Sequence, residues 1–173
     1  MTRRTHALLT LLMAATAATT VAAQSGKGIS LEAHSRTRVQ DVGLPAYPGA
    51  TLAVERGAHG EEDHSGGSFG AWMGSIGMRV DAIKFKSSDK SEQVAAFYAR
   101  AMARQGEVLD CRLPSSRVKQ VKGEPERLSC DETPIQPGHF EYRVGQPKHM
   151  RIVHVYPEGD GARFEMVRLQ LGR

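Results

Sequence analysis

The segment 87–106, SSDKSEQVAAFYARAMARQG, constrains the fold more than any other part of the sequence. Its apolar residues recur at the i, i+3, i+4, i+7, i+8 spacing of one helix face: Val94, Phe97, Tyr98, Ala101 and Met102. Asp89 is predicted to cap this helix, with Glu92 completing a capping box and Gly106 ending it. A helix with one apolar stripe must pack that stripe on another element, and a sheet is the expected partner.

Short segments on both sides of this helix are typical of β-strands. They are 78–85, 107–111, 127–131, 140–145, 150–156 and 163–171. In the first, the apolar alternation shifts from Met78, Val80 and Ala82 to Ile83 and Phe85, which predicts a β-bulge. The last two are predicted to form a hairpin whose loop is longer than the tightest types. The pattern predicts an α+β fold: one amphipathic helix packed on a mainly antiparallel sheet of four to six strands, in the order roughly β-α-β-β-β-β.

The N-terminus resembles an export signal. Arg3 and Arg4 precede an uncharged run, and small residues at Val21 and Ala23 suit cleavage after Ala23. We therefore expect a signal peptide at 1–23, a polar N-terminal arm at 24–43 and a single α+β domain at 44–173. A periplasmic or secreted protein without a transmembrane segment after cleavage follows from this interpretation.

Charge and motifs narrow the classes of function. Without residues 1–23, which hold two arginines and no acid, the chain has 21 basic against 19 acidic residues. That balance gives no basis for a nucleic-acid partner. The sequence has no phosphate-binding loop, dinucleotide fingerprint, HExxH helix or EF-hand loop, so no cofactor is predicted.

The two cysteines are predicted to form a disulfide. Cys111 and Cys130 are the only pair, and an even number of cysteines in an exported protein favours a bridge. A reactive thiol or a metal-binding pair is the alternative, but the spacing matches no zinc pattern.

Three stretches resemble an uncharacterised family of small secreted bacterial proteins. They are YPGAT at 47–51, the run from Asp81 to Cys111, and KHMRIVHVYPEGDGARFEMVRLQL at 148–171. The shared pattern is Tyr-Pro-Gly-Ala, a Val-x-x-Phe-Tyr helix with a glycine stop, Val-Leu-x-Cys and a C-terminal hairpin. This resemblance covers about residues 44–171 and agrees with the domain limits and the disulfide. It implies no activity and no catalytic residue.

The most polar stretch is GAHGEEDHSGG at 57–67. The H-x₄-H spacing of His59 and His64 falls within the range of zinc ligands, and Asp63 adds a carboxylate. Ordering a segment so rich in glycine costs conformational entropy, so we interpret it as a solvated loop. Weak metal binding through His59, Asp63 and His64 is the alternative.

Three further residues invite functional interpretations. Ser68 lies in GGSFG, which matches the G-x-S-x-G of hydrolases, although no strand-turn-helix context is predicted around it. His154 is expected to share a strand face with Ile152 and Tyr156, opposite Val153 and Val155, as an ordinary strand residue. Trp72 is expected to anchor the core beneath the helix.

The sequence favours a non-catalytic exported domain that binds a small ligand or an envelope protein partner. Its contact surface would be the exposed sheet face or the 57–77 segment. Two alternatives stay open: a metal-handling protein using the 57–64 loop, and a serine hydrolase using Ser68 with a histidine.

Overall fold

The computed structural model describes residues 29–34, 36–56, 62–63, 65–73, 76–131 and 133–172. Its helices are α1 (Val39–Val42) and α2 (Ser91–Ala103), with a 3₁₀ turn at Pro114–Ser116. Its strands are β1 (Ile29–His34), β2 (Thr51–Leu52), β3 (Glu55–Arg56), β4 (Glu62–Asp63), β5 (Gly66–Met73), β6 (Ile76–Ser87), β7 (Val108–Asp110), β8 (Phe140–Gln146), β9 (His149–Glu158) and β10 (Gly161–Leu171). Within these ranges, neither helix is long and apolar enough to span a membrane.

One antiparallel sheet dominates the molecule, in the order β1-β5-β6-β10-β9-β8-β7, and β2 also pairs with β6. The predicted mainly antiparallel α+β architecture is confirmed. The predicted element order was wrong, because β1 and the glycine-rich β5 both join the sheet before α2. Residues 127–131, predicted as a strand, run without regular structure.

The helix-forming segment packs as its periodicity predicts. Val94, Tyr98 and Met102 of α2 are fully buried against the sheet. The Tyr98 ring lies 5.4 Å from that of Phe164, which stacks on Phe85 at 5.3 Å. We call the sheet face that carries these side chains the inner face, and the opposite one the outer face.

The predicted cap of α2 was wrong by one residue. Lys90 occupies the N-cap, and its backbone N–H donates to the Gln93 side chain at 3.1 Å. Asp89 instead accepts a hydrogen bond from the Tyr47 hydroxyl at 2.6 Å, which ties the segment before the helix to the Tyr-Pro-Gly turn. A tertiary contact therefore displaced the local one.

The predicted bulge in β6 is absent, since β6 pairs with β10 in unbroken register from Met78 to Ser87. The shift in alternation has another cause. Ile83 and Phe85 point to the inner face under α2, whereas Met78 and Val80 point to the outer face. The strand is regular, and its apolar side changes from one face to the other.

The apolar side also changes from the inner to the outer face in β10 and β9, the next two strands of the sheet. Phe164 and Met166 of β10 are buried on the inner face, whereas Leu169 and Leu171 fall on the outer face. In β9 the inner residues are Val153 and Val155, and the outer apolar residues are Met150 and Ile152. Three strands thus reverse their polarity at the same level of the sheet.

The C-terminal hairpin is tighter than predicted. Glu158 of β9 pairs with Gly161 of β10, so only Gly159 and Asp160 form the turn. Gly159 has φ 58°, a left-handed conformation that glycine adopts without strain. The strands continue beyond the apolar runs that marked them in the sequence, which shortens the loop.

The predicted disulfide is confirmed: Cys111 and Cys130 are bonded, with Cα atoms 5.4 Å apart. Cys111 follows β7 directly, and its N–H donates to the Glu141 carbonyl of β8. The bridge holds the irregular 112–129 segment against the β7–β8 end of the sheet.

Candidate functional site

The predicted metal loop lies mostly outside the described residues. His59 and His64 fall outside them, and Asp63 is described only as part of the backbone of β4. Among the described residues, no group of three or more potential metal ligands comes together. Weak metal binding by this loop stays a prediction.

Ser68 lies in the middle of β5, on the inner face. It is buried, and its hydroxyl donates to the Asp81 carboxylate of β6 at 2.6 Å. The Thr37 hydroxyl lies 3.0 Å away. His34 occupies the opposite position on β1, at the exposed edge of the sheet. A hydrolytic serine passes its proton to a histidine base, whereas the Ser68 hydroxyl donates its proton to the buried Asp81 carboxylate.

Asp81 is the centre of this polar group. Its side chain is 0% exposed, and both carboxylate oxygens accept from the Arg79 guanidinium at 3.1 Å. The hydrogen bond that Arg79 donates to Asp81 raises the pKa of Arg79 above its ordinary value. Because a buried carboxylate requires such compensation, Arg79, Ser68 and Asp81 form one structural unit.

Two more arginines continue the polar row across the sheet. In register with Asp81, Arg168 of β10 and Arg151 of β9 lie side by side on the inner face. Arg168 donates to the Asp41 carbonyl at 3.0 Å, and Arg151 donates to the Val42 carbonyl at 2.9 Å. Both bonds reach carbonyls at the C-terminal end of α1, where positive charge is favoured. Burial, followed by the charge of Arg168, lowers the pKa of Arg151.

This row explains why the inner face is polar where α1 covers it. Serine, aspartate and arginine side chains occupy four adjacent strands, and α1 and Thr37 satisfy them. At the same level of the sheet, the apolar residues lie on the outer face.

The outer face therefore carries an apolar surface on strands β1, β5 and β6. Five large side chains with more than a third of their surface exposed share it: Leu31, Phe69, Met73, Ile76 and Met78. Leu31 and Ile76 are the most exposed, at 70% each. We call these five residues the outer patch. Exposed apolar patches of this kind mark interaction sites in soluble proteins.

The sequence suggested that Trp72 anchors the core beneath α2, and this prediction was wrong. It lies on β5 beyond the polar row, half-buried, with its ring directly over Gly77 of β6. A Cβ at Gly77 would come within 1.8 Å of the ring, so only glycine admits this packing. Trp72 supports the strands that carry the outer patch.

A second feature lies at the opposite end of the outer face. His154 has the predicted orientation, beside Tyr156, and the rings of both lie within 5.6 Å of His139. A cavity of about 290 Å³ opens beside them, lined by residues that include Thr133, Ile135, Gln136 and Glu141. Burial is the main cause that lowers the pKa of His154, and Glu141 and Glu165 oppose it.

Sequence reasoning did not identify Asp81, Arg151 or Arg168, or Leu31 and Met78 of the outer patch, whereas Phe69, Met73 and Ile76 lie in the 57–77 segment that it named as a possible contact surface. The signal was present in the changed alternation of β6, which was interpreted as a bulge. No family model, curated protein or solved structure matches the chain.

Proposed function

We propose that the protein is a non-catalytic exported binding domain whose outer patch docks a protein partner in the bacterial envelope. The observation that carries this proposal is the outer patch itself, whose five large apolar side chains on β1, β5 and β6 are exposed where β6 turns its apolar side to the outer face. A sheet face that is apolar away from its own helix needs another surface to remove it from water.

The shape of the patch favours a macromolecule over a small ligand. Leu31, Phe69 and Ile76 lie on three adjacent strands of a sheet, which present a broad surface rather than a concave pocket. Aromatic and methionine side chains are also enriched in the centres of protein interfaces, and the patch contains Phe69, Met73 and Met78. The buried row beneath it fixes these strands in place before a partner arrives.

A direct test is photocrosslinking from defined positions in a producing bacterium. A photoreactive residue at Phe69 should give a discrete crosslinked product in the envelope fraction. The matched control is the same residue at Ala96, which is exposed on α2. Equal products from both positions, or none from Phe69, would contradict docking at the outer patch.

Export rests on two supports, the predicted signal peptide at 1–23 and the Cys111–Cys130 bridge. Disulfides persist in oxidising compartments, so a periplasmic or secreted location fits the bridge. Alkylation of the protein before reduction, followed by mass measurement, should detect no free thiol. Two alkylated cysteines would argue for a reducing compartment. Membership of the small secreted family described above stays a prediction.

A small ligand in the cavity beside His139 and His154 is the second candidate. The cavity has a volume near the lower end for small-molecule sites, and polar groups converge in it. A thermal-shift screen of metals, nucleotides, sugars, lipids and peptidoglycan fragments tests this. A true ligand should raise the unfolding midpoint of the wild type but not of His139→Ala. A shift that persists in the variant would place the ligand elsewhere.

A further inference from the structure

The free edge of β1 is the least protected backbone in the described sheet. β1 stands at one end of the strand order, and β5 is the strand that it pairs with among the described residues. All five residues from 30 to 34 are exposed. In the monomer, ordering this strand therefore gains little burial in return for its lost conformational entropy.

Edge strands usually carry features that prevent pairing with another chain, such as lysine, proline or a bulge. The sequence of β1, ISLEAH, contains neither lysine nor proline, and Glu32 on the inner face is its single carboxylate of the kind that protects an edge. Its register with β5 is unbroken from Ile29 to His34, so no bulge turns the edge away. The backbone is left in the geometry that accepts one more strand.

We propose that β1 pairs antiparallel with β1 of a second copy. The two-fold axis would lie midway between Leu31 and its copy, and the pairing would join the two sheets edge to edge. This goes beyond the docking function and does not depend on it. The outer patches of both copies would then lie on one continuous face.

Side-chain chemistry selects both the partner and the register. Residues opposite each other in an antiparallel pair share a face. A two-fold axis between two identical strands therefore places one residue of the strand directly opposite its own copy. An axis through Glu32 would place two carboxylates directly opposite each other, which is destabilising. An axis through Leu31 places Leu31 against its copy on the outer face and Glu32 opposite Ser30 on the inner face. This register packs Leu31, which is 70% exposed in one copy, against its equivalent and keeps the two Glu32 carboxylates apart.

The contact is small, because one short strand from each copy supplies most of it. Interfaces below about 1,200 Å² belong to weak and transient associations. The dimer should therefore form in a concentration-dependent way, which suits analytical ultracentrifugation over a wide range of protein concentration.

The test uses the protein expressed from its complete sequence, with a single added cysteine. In Leu31→Cys the two new thiols face each other across the axis, at about 5 Å between Cβ atoms. In the matched control, Glu32→Cys, they are diagonal neighbours at about 7–8 Å, beyond the Cβ spacing of a disulfide. Because Cys111 and Cys130 are bonded to each other, the added residue is the free thiol.

We expect mild oxidation to convert Leu31→Cys to a covalent dimer at least about tenfold faster than Glu32→Cys. Leu31→Lys, without added cysteine, should weaken the wild-type dimer about tenfold or more, because two lysines would meet at the axis. Faster crosslinking of Glu32→Cys, equal rates, or a wild type that stays monomeric at the highest concentration would overturn the proposal. These outcomes leave the Phe69 crosslinking test unaffected, so the two ideas fail separately.

Discussion

The end of the sheet under α2 and the end under α1 place their apolar side chains on opposite faces. Under α2, the inner face is apolar, with Phe85 and Phe164, and the outer face carries charged and polar side chains such as Glu165 and His154. Under α1, the inner face is polar around Asp81, and the outer face is apolar around Phe69. The difference teaches that one end is complete within a single chain, whereas the other presents its apolar side to solvent.

The largest difference in stability should come from replacing two phenylalanines that lie on opposite faces of the sheet. Phe164→Ala removes a fully buried ring and should lower the free energy of unfolding by about 4 kcal/mol. Phe69→Ala, at the outer patch, should lower it by less than about 1 kcal/mol. Denaturant unfolding of both variants measures the difference. Similar losses would mean that the outer patch is core in the isolated protein.

The next largest effect concerns the polar row. Asp81→Ala removes the fully buried carboxylate that accepts hydrogen bonds from Ser68 and Arg79, and should destabilise the fold by about 3 kcal/mol. Asp131→Ala is the control, since this carboxylate is 78% exposed and pairs with Arg143 at the surface. It should change stability by less than about 1 kcal/mol. A neutral Asp81→Ala would show that this buried carboxylate does not stabilise the sheet.

A smaller effect is expected at the glycine beneath Trp72. Gly77→Ala forces the ring away and should destabilise by about 2 kcal/mol, as overpacking does. Gly67→Ala, whose Cβ would lie 3.5 Å from the His34 carbonyl, should be nearly neutral. Trp72 is the single tryptophan, so its fluorescence reports the change directly. An unchanged emission spectrum in Gly77→Ala would contradict the ring-over-glycine packing.

The smallest effect is the pH dependence contributed by His154. Its pKa in the folded protein is lowered from 6.5, so the unfolded chain binds the proton more readily. Stability from this group is therefore complete above pH 6.5 and falls as the pH drops below that value. His154→Gln should flatten this part of the stability curve. An unchanged slope in His154→Gln would exclude this contribution.

The features that sequence predicted correctly are those with local or forced causes. The stripe of α2 follows from helical periodicity, and Cys111 could pair only with Cys130. The β6 bulge failed because a regular strand that changes its apolar side gives the same pattern as a slipped one. Ser68 could not be assigned its partners, since Asp81, 13 residues away, meets it through strand pairing and Thr37, 31 residues away, meets it from the segment between β1 and α1.

The position of β10 has a consequence for how the chain is made. This strand follows all the others in sequence, yet it lies between β6 and β9 at the centre of the sheet. Neither α2 nor β6 can complete its packing until residues 161–171 have been synthesised, because Phe164 and Met166 fill the middle of the core. Folding of this topology waits for distant segments to meet. The last residues to be synthesised therefore decide when the hydrophobic core of the whole sheet can close.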